Sequence, residues 1–315
     1  MRLEPDTLGR AVDARPDATC EESINRIAAA HSGQLALMAV DLRTGRTVKF
    51  AEDAVLPIAS VGKVVLLCEA LERASLLHLG LETPVPVRPA HRAGGSGVLK
   101  LLPSVEQLPL VEAARLMVCV SDNTATNAII EWMGGPERAT SWARRNGLGQ
   151  TAVHSLISEL VSQEGTRAVF AESTVRELSG LMVRLGREGA ALGSWQHTAL
   201  GILASQQFLD LVPRYWVLDV AADLYGRAAV GAECCCKTGF LPGLRAEAGC
   251  VRLNGEALLA YAIVVQGDQS EGLGVDADSA LVCGLIGAAL GVSWLSDVVR
   301  TRCPSVKLSA FWGEL

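Results

Sequence analysis

Aromatic residues make up only 4% of this 315-residue chain, and nowhere do they interleave with basic ones. Lys and Arg (28) are outnumbered by Asp and Glu (34), for a net charge of −6. Without a basic stripe the chain lacks the positive footprint that nucleic acid requires, so no nucleic-acid partner is expected. Long apolar runs are missing too. LLAYAIVVQ at 258–266 falls well short of the ~18–20 residues that cross a bilayer, and no membrane partner is expected. The nine cysteines are odd in number and have no CxxC spacing; even CCC at Cys234, Cys235 and Cys236 offers no partner pair. The expectation is small buried thiols in a reducing compartment, with no metal, cofactor or disulfide framework. The opening MRLEPDTLGRAVDARPDATC has no apolar h-region and carries acidic residues throughout, so a cytoplasmic protein is expected, or an exported one if this start is not the native N-terminus. Repeats and low-complexity tracts are absent as well.

What is present is a half-apolar chain, long enough for one large domain or two interleaved lobes around a substantial core. Apolar spacing predicts helices over 20–31, 60–77, 104–120, 122–133, 137–145, 173–188 and about 195–209. QLALMAVDLRTGRTVKF predicts a hairpin turning at Thr44 and Gly45. After about 229 three strand-like stretches return, separated by Gly, Pro and Asn turns, and a small-residue helix follows at 276–291. The segment 150–172 is long for a plain connector, as functional loops are. Both ends of the chain therefore supply an antiparallel sheet, with a helical lobe inserted between them: 1–59 and 212–315 as one discontinuous α/β lobe, and 60–211 as the other.

Three short strings carry the chemistry. Ser60 and Lys63 stand three apart at the head of an apolar helix, which puts them on one face. Ser121, Asp122 and Asn123 (SDN) follow 61 positions later between two helices, and Lys237, Thr238 and Gly239 (KTG) lie on a strand. Each has a bland alternative: Ser60 as an N-cap with Lys63 solvated, Ser121 and Asp122 as a cap for the next helix, Lys237 and Thr238 as an exposed strand end. Trp195 and Trp216 would border a pocket or simply fill core. All three strings in this order favour a site.

With S-x-x-K, SDN and KTG in that order, the sequence resembles the penicillin-recognising serine enzymes, and within them the class A β-lactamases. The resemblance covers nearly the whole chain. It implies a β-lactamase/DD-peptidase-like α+β fold, with a five-stranded antiparallel sheet flanked by terminal helices plus an inserted all-α lobe. A serine hydroxyl needs a base, and Lys63 serves only if burial or nearby cations such as Lys237 pull its pKa down. Ser121 would extend the proton path to the leaving nitrogen, and Asn123 would hold the substrate amide. By resemblance the backbone N–H groups of Ser60 and Phe240 would receive the oxyanion. Thr238, Gly239 and Arg245 would form the substrate-binding end, with Arg245 either holding a substrate carboxylate or simply solvated.

The family pattern fails in the long loop, where a glutamate followed by x-x-Leu-Asn positions the deacylating water. Here Glu159 is followed by Leu160-Val161-Ser162-Gln163, and Glu164 is a second carboxylate. Either would activate water or be an ordinary solvated acid. Three functions follow: an intracellular serine hydrolase or acyltransferase acting on a small-molecule amide or ester, a genuine class A β-lactamase, and a non-catalytic ligand-binding protein on the same fold. The oligomeric state is not legible.

Overall fold

The computed structural model describes residues 20–157, 169–189, 191–208, 232–267 and 274–290. Glu159, Glu164 and Trp216 lie outside the described residues. In chain order the elements are α1 (Cys20–Ala30), β1 (Gln34–Asp41), β2 (Thr47–Phe50), β3 (Leu56–Pro57), a 3-10 turn (Ala59–Gly62), α2 (Lys63–Leu76), β4 (Pro84–Pro86), β5 (Gln107–Pro109), α3 (Leu110–Cys119), α4 (Asn123–Met133) and α5 (Pro136–Arg145). Then come β6 (Ala152–Val153), β7 (Ala171–Ser173), α6 (Val175–Glu188), α7 (Trp195–Ala204), β8 (Ala232–Leu241), β9 (Leu244–Leu253), β10 (Glu256–Gln266) and α8 (Gly274–Leu290).

Five strands form the main sheet in the order β2-β1-β10-β9-β8, and each neighbouring pair is antiparallel. Chain start and chain end meet where β1 pairs along its length with β10, Gln34 opposite Gln266 and Asp41 opposite Leu259. Local chemistry sets the corners. Asn254 and Gly255 both take positive φ (51° and 82°), as a tight two-residue hairpin needs, and Pro242-Gly243 closes β8 onto β9.

The long strands are apolar on both faces because both are covered. On one face Cys235, Ala246, Ala248, Cys250, Ala260 and Ala262 join the larger core with Leu178, Leu181 and Leu185 of α6. On the other, Leu35, Leu37, Val251, Tyr261 and Ile263 pack with Ile24 and Ile27 of α1 and Ile286 of α8. The larger core continues through α2, whose Val64, Val65, Leu66, Leu67 and Leu71 are all buried, into α3, α4 and α5.

The helix expected over 104–120 begins only at Leu110, since Gln107–Pro109 pairs with Pro84–Pro86 instead. Pro109 explains this: it lacks an N–H and biases Leu108 towards extended backbone. The 173–188 helix likewise yields Ser173 to β7, which pairs with both β3 and β6. Thr174 then caps α6 by accepting from Glu177 N at 3.2 Å. No helix among the described residues is long and apolar enough to cross a membrane.

Candidate active site

Ser60 stands on the 3-10 turn that runs straight into α2, and Lys63 N–H donates back to Ser60 O. Such a turn stacks side chains i and i+3 above one another, so Ser60 and Lys63 share one line on the surface of the turn. Ala59, just before the serine, is held at φ 45°. This left-handed backbone is unusual for alanine and marks strain at the start of the turn.

Lys63 is fully buried. Its Nζ donates to Ser121 O at 2.8 Å, Ser121 Oγ at 3.0 Å and Asn123 Oδ1 at 2.9 Å. Burial holds the ammonium well below the usual lysine range; the charge of Lys237 adds to this, and Asp122 opposes it. A neutral Lys63 exposes a lone pair, so the Ser121 hydroxyl would then donate to Nζ rather than accept from it. This contact would let the pair exchange a proton without moving heavy atoms. Ser121 is itself strained, at φ 53°, and that conformation turns its carbonyl and hydroxyl together towards Lys63.

Asp122 is the structural member of the triplet. Its Oδ1 caps α4 by accepting from Ala125 N at 2.9 Å, while Oδ2 accepts from Val98 N at 2.6 Å and Leu99 N at 2.8 Å. The segment 94–99 is thereby stapled across the SDN turn, with Asn123 N donating to Ser96 O at 3.1 Å. Gly97 permits it: a Cβ there would lie 2.3 Å from the Asp122 carboxyl carbon, and φ is +105°. Asn123 Nδ2 donates to Gly94 O at 2.8 Å, and an amide nitrogen carries a second hydrogen for a ligand.

β8 brings in the third string from the far end of the chain. Lys237 is fully buried, and burial pulls its pKa down to about 8 against the pull of Cys236, Glu247 and Cys119. Among the described residues its Nζ donates to Thr238 O at 2.9 Å; no hydrogen bond to Ser121 is formed. Gly239 lies against the turn that carries Ser60, where a Cβ would stand 2.6 Å from Ile58 O and 3.2 Å from Ser60 N. Cys236 turns its carbonyl away from β9 to accept from Gln206 Nε2 at 3.4 Å. The two-residue period of a strand gives Phe240 the same orientation, so its N–H faces the open edge of β8 beside Ser60.

The remaining expected residues are placed less directly at the cleft. Thr238 lies on the opposite face of the strand from Lys237, is fully buried, and its hydroxyl has no partner among the described residues. Arg245 sits opposite Phe240 in register. Its guanidinium donates to Leu241 O at 3.1 Å and Leu244 O at 3.0 Å and lies 5.1 Å from the centroid of the Phe240 ring. Trp195 packs edge-on against buried Trp142, with ring centroids 6.4 Å apart, as a partly buried part of the core.

Two supports were not anticipated from the sequence. One is the 94–99 segment, whose AGGSG run was the available signal. The other is Asn127, whose side chain clamps Ile157 from both sides: Oδ1 accepts from Ile157 N at 2.7 Å and Nδ2 donates to Ile157 O at 2.8 Å. It also reaches His91 O at 3.1 Å. An asparagine buried in an apolar helix was the only hint. Among the described residues no group of three or more His, Cys, Asp or Glu is arranged to hold a metal ion.

Known proteins share this arrangement of elements. PBP-A superposes with a TM-score of 0.68 at 21% identity, over 86% of this chain and 95% of its own. A β-lactamase from Sphaerobacter thermophilus DSM 20745 gives 0.69 at 22%, over 92% and 98%. At the sequence level, the β-lactamase of Streptomyces fradiae is 30% identical over 158 residues, 48% of this chain and 50% of the relative. β-Lactamase L2 of Stenotrophomonas maltophilia is 28% identical over 130 residues, 41% and 43%. The chain thus spans about half the length of the curated relatives it matches. The sequence model of the beta-lactamase enzyme family, by contrast, matches residues 19–294 without a break in its bounds. On that match, and with the fold to accompany it, the chain belongs to the beta-lactamase enzyme family.

Proposed function

We propose that this chain is a serine hydrolase or acyltransferase that forms an acyl-enzyme on Ser60 with a small-molecule amide or ester. The observation that carries the reading is Lys63: a fully buried lysine with a depressed pKa, in line with Ser60 on the same turn and hydrogen-bonded to Ser121. Neutral Lys63 takes the Ser60 proton as the hydroxyl attacks the carbonyl. The proton passes through Ser121 to the leaving nitrogen or oxygen. The backbone N–H groups of Ser60 and Phe240 stabilise the oxyanion, and the second Nδ2 hydrogen of Asn123 holds the substrate amide. Lys237 keeps positive potential at the carboxylate-binding end of the cleft. Arg245 joins it there by exchanging a hairpin carbonyl for a substrate carboxylate, a charge-assisted bond being stronger than a neutral one.

The reaction's second half distinguishes the possible enzymes. Among the described residues no carboxylate hydrogen-bonds Lys63, and the residue clamped by Asn127 is apolar Ile157. Unless Glu159 activates water, the acyl-enzyme persists and is passed slowly to water or to another acceptor. The relatives named β-lactamases favour the second reading, rapid hydrolysis of a β-lactam with Glu159 as base. Intact-mass spectrometry in a time course with penicillin G tests this. A persistent adduct supports slow deacylation. Rapid product formation that collapses in Glu159→Gln supports the β-lactamase. No reaction with penicillin or with activated esters would reject acyl transfer and leave a binding protein.

A further inference from the structure

Gln206, two residues beyond α7, is a buried polar side chain to which the acyl-transfer scheme gives no part. Its carboxamide is engaged on every side. Nε2 carries two hydrogens, and it donates to Val118 O at 2.9 Å and to Cys236 O at 3.4 Å. Oε1 accepts from the backbone N–H groups of Gln207 at 3.0 Å and Phe208 at 3.1 Å. These two bonds to its own chain fix the direction in which the donors point. Gln207 N–H is shared with Cys119 O, 2.9 Å away.

The two acceptors of Nε2 belong to different elements, and each stands close in sequence to a residue of the site. Val118 lies in the last turn of α3, where carbonyls have no partner within the helix; Gln206 and Gln207 supply one to Val118 and one to Cys119. Ser121 follows directly after this turn, strained at φ 53°. Cys236 immediately precedes Lys237 on β8, the edge strand of the main sheet among the described residues. One amide therefore spans from the chain that carries Ser121 to the strand that carries Lys237. Among the described residues no hydrogen bond joins those two side chains directly; the tie between their backbones runs through Gln206.

We propose that Gln206 is a positioning residue for acylation, setting the placement of the Ser121 hydroxyl and the Lys237 ammonium relative to a substrate on Ser60. The proposal rests on the acyl-transfer reading of Ser60. Val118 O and Cys236 O turn their negative ends towards the same nitrogen, so removing its hydrogens leaves two carbonyls facing each other across a buried gap, and the end of α3 and the edge of β8 move apart. A misplacement of about 1 Å at a reacting group costs on the order of a hundredfold. Ser60 and Lys63 stand on another turn, which Gln206 does not bond, so the nucleophile and its base stay in place. The loss therefore depends on the substrate. The amide nitrogen of a penicillin needs a proton to leave and the molecule carries a carboxylate, whereas nitrophenyl acetate has no carboxylate and its nitrophenolate leaves unprotonated.

The test compares the full-length wild type with Gln206→Met and Gln206→Glu. Acylation by penicillin G is followed by quenched intact mass and acylation by nitrophenyl acetate through nitrophenolate release, with thermal denaturation alongside. Methionine keeps the unbranched length and removes every hydrogen bond of the amide; penicillin acylation should fall by at least about tenfold while the ester rate stays close to that of the wild type. Glutamate keeps the acceptor for Gln207 and Phe208 but sets a carboxylate against two carbonyls. Its penicillin rate, taken relative to the wild type at each pH, should recover as the pH is lowered and the buried carboxyl gains a proton to donate. Equal losses on both substrates would reduce Gln206 to general structural support and overturn the proposal, as would an unchanged penicillin rate in Gln206→Met. If the methionine variant does not fold, a glutamate variant whose relative rate is flat with pH overturns it instead. A wild type acylated by neither reagent would end the acyl-transfer reading and this proposal together; a wild type that is acylated, with variants that keep both rates, would end this proposal alone.

Discussion

Gly239→Ala removes nothing from the site and adds a single methyl group, which makes it a sharp probe of how β8 meets the Ser60 turn. The new carbon would stand 2.6 Å from Ile58 O, 3.2 Å from Ala59 Cβ and 3.2 Å from Ser60 N. Carbon and a carbonyl oxygen do not approach within about 3.0–3.4 Å without strain, so the strand or the turn must retreat by roughly 0.5–1 Å. Neither yields easily. Ile58 N is tied to Ala171 O at 3.0 Å, and Ala59 is already strained at φ 45°. Overpacking of this kind costs about 1–3 kcal/mol of stability, which lowers the melting temperature without unfolding the protein. The larger effect is on rate: the retreat separates Phe240 N–H from Ser60 N–H, and losing one oxyanion donor costs about a hundredfold or more in acylation. Stopped-flow or quenched mass measurement of acyl-enzyme formation reads this directly, with thermal denaturation alongside. Acylation at the wild-type rate would refute the close approach as the element that builds the oxyanion site.

Asp122→Asn keeps the side-chain shape but replaces one carboxylate oxygen by an NH2 that cannot accept from Ala125 N or from the Val98 and Leu99 amides. A loss of about 2–3 kcal/mol in denaturant unfolding is expected; a stability change under about 0.5 kcal/mol would mean that the 94–99 segment is held by other contacts. The pH dependence has a defined sign. With Lys63 as the proposed neutral base and its pKa depressed, acylation is expected to rise with pH through that pKa. With Lys237 as the proposed cation and its pKa down at about 8, acylation is expected to fall as pH climbs through about 8. A rate still rising at pH 10 would show that Lys237 works uncharged or not at all.

Much of this was legible because it rests on local rules. The β1–β2 hairpin follows from alternation around Gly45, and α4 follows from a capping aspartate before an apolar run. Ser60 and Lys63 share a face because of their spacing alone. The 104–109 stretch misled because its apolar spacing suits a helix, while Pro109 settles the backbone one turn later. KTG is a lesson of another kind. Adjacent strand residues point to opposite faces, so Lys237 and Thr238 do not both enter one cleft through their side chains; the structure buries the Thr238 hydroxyl on the face away from Lys237. That alternation was available in the sequence. The 94–99 staple showed only as the glycines of AGGSG, because the contacts among Gly95, Gly97, Asp122 and Asn123 that close it are encoded by no period or propensity. Arg245 is similar: its position on β9 was expected, but its engagement with the Leu241 and Leu244 carbonyls depends on the hairpin closing over Pro242-Gly243.

The central claim is that Ser60 is the nucleophile and Lys63 its base. Intact-mass spectrometry of the wild type, Ser60→Ala and Lys63→Met after the same exposure to penicillin G tests it most directly. The account predicts a single covalent adduct on the wild type, mapped to the peptide containing Ser60, and none on Ser60→Ala, whose melting temperature stays near that of the wild type. Lys63→Met should acylate more slowly by at least about a hundredfold, the usual contribution of a positioned general base. An adduct that survives in Ser60→Ala, or one that maps to another residue, would contradict it.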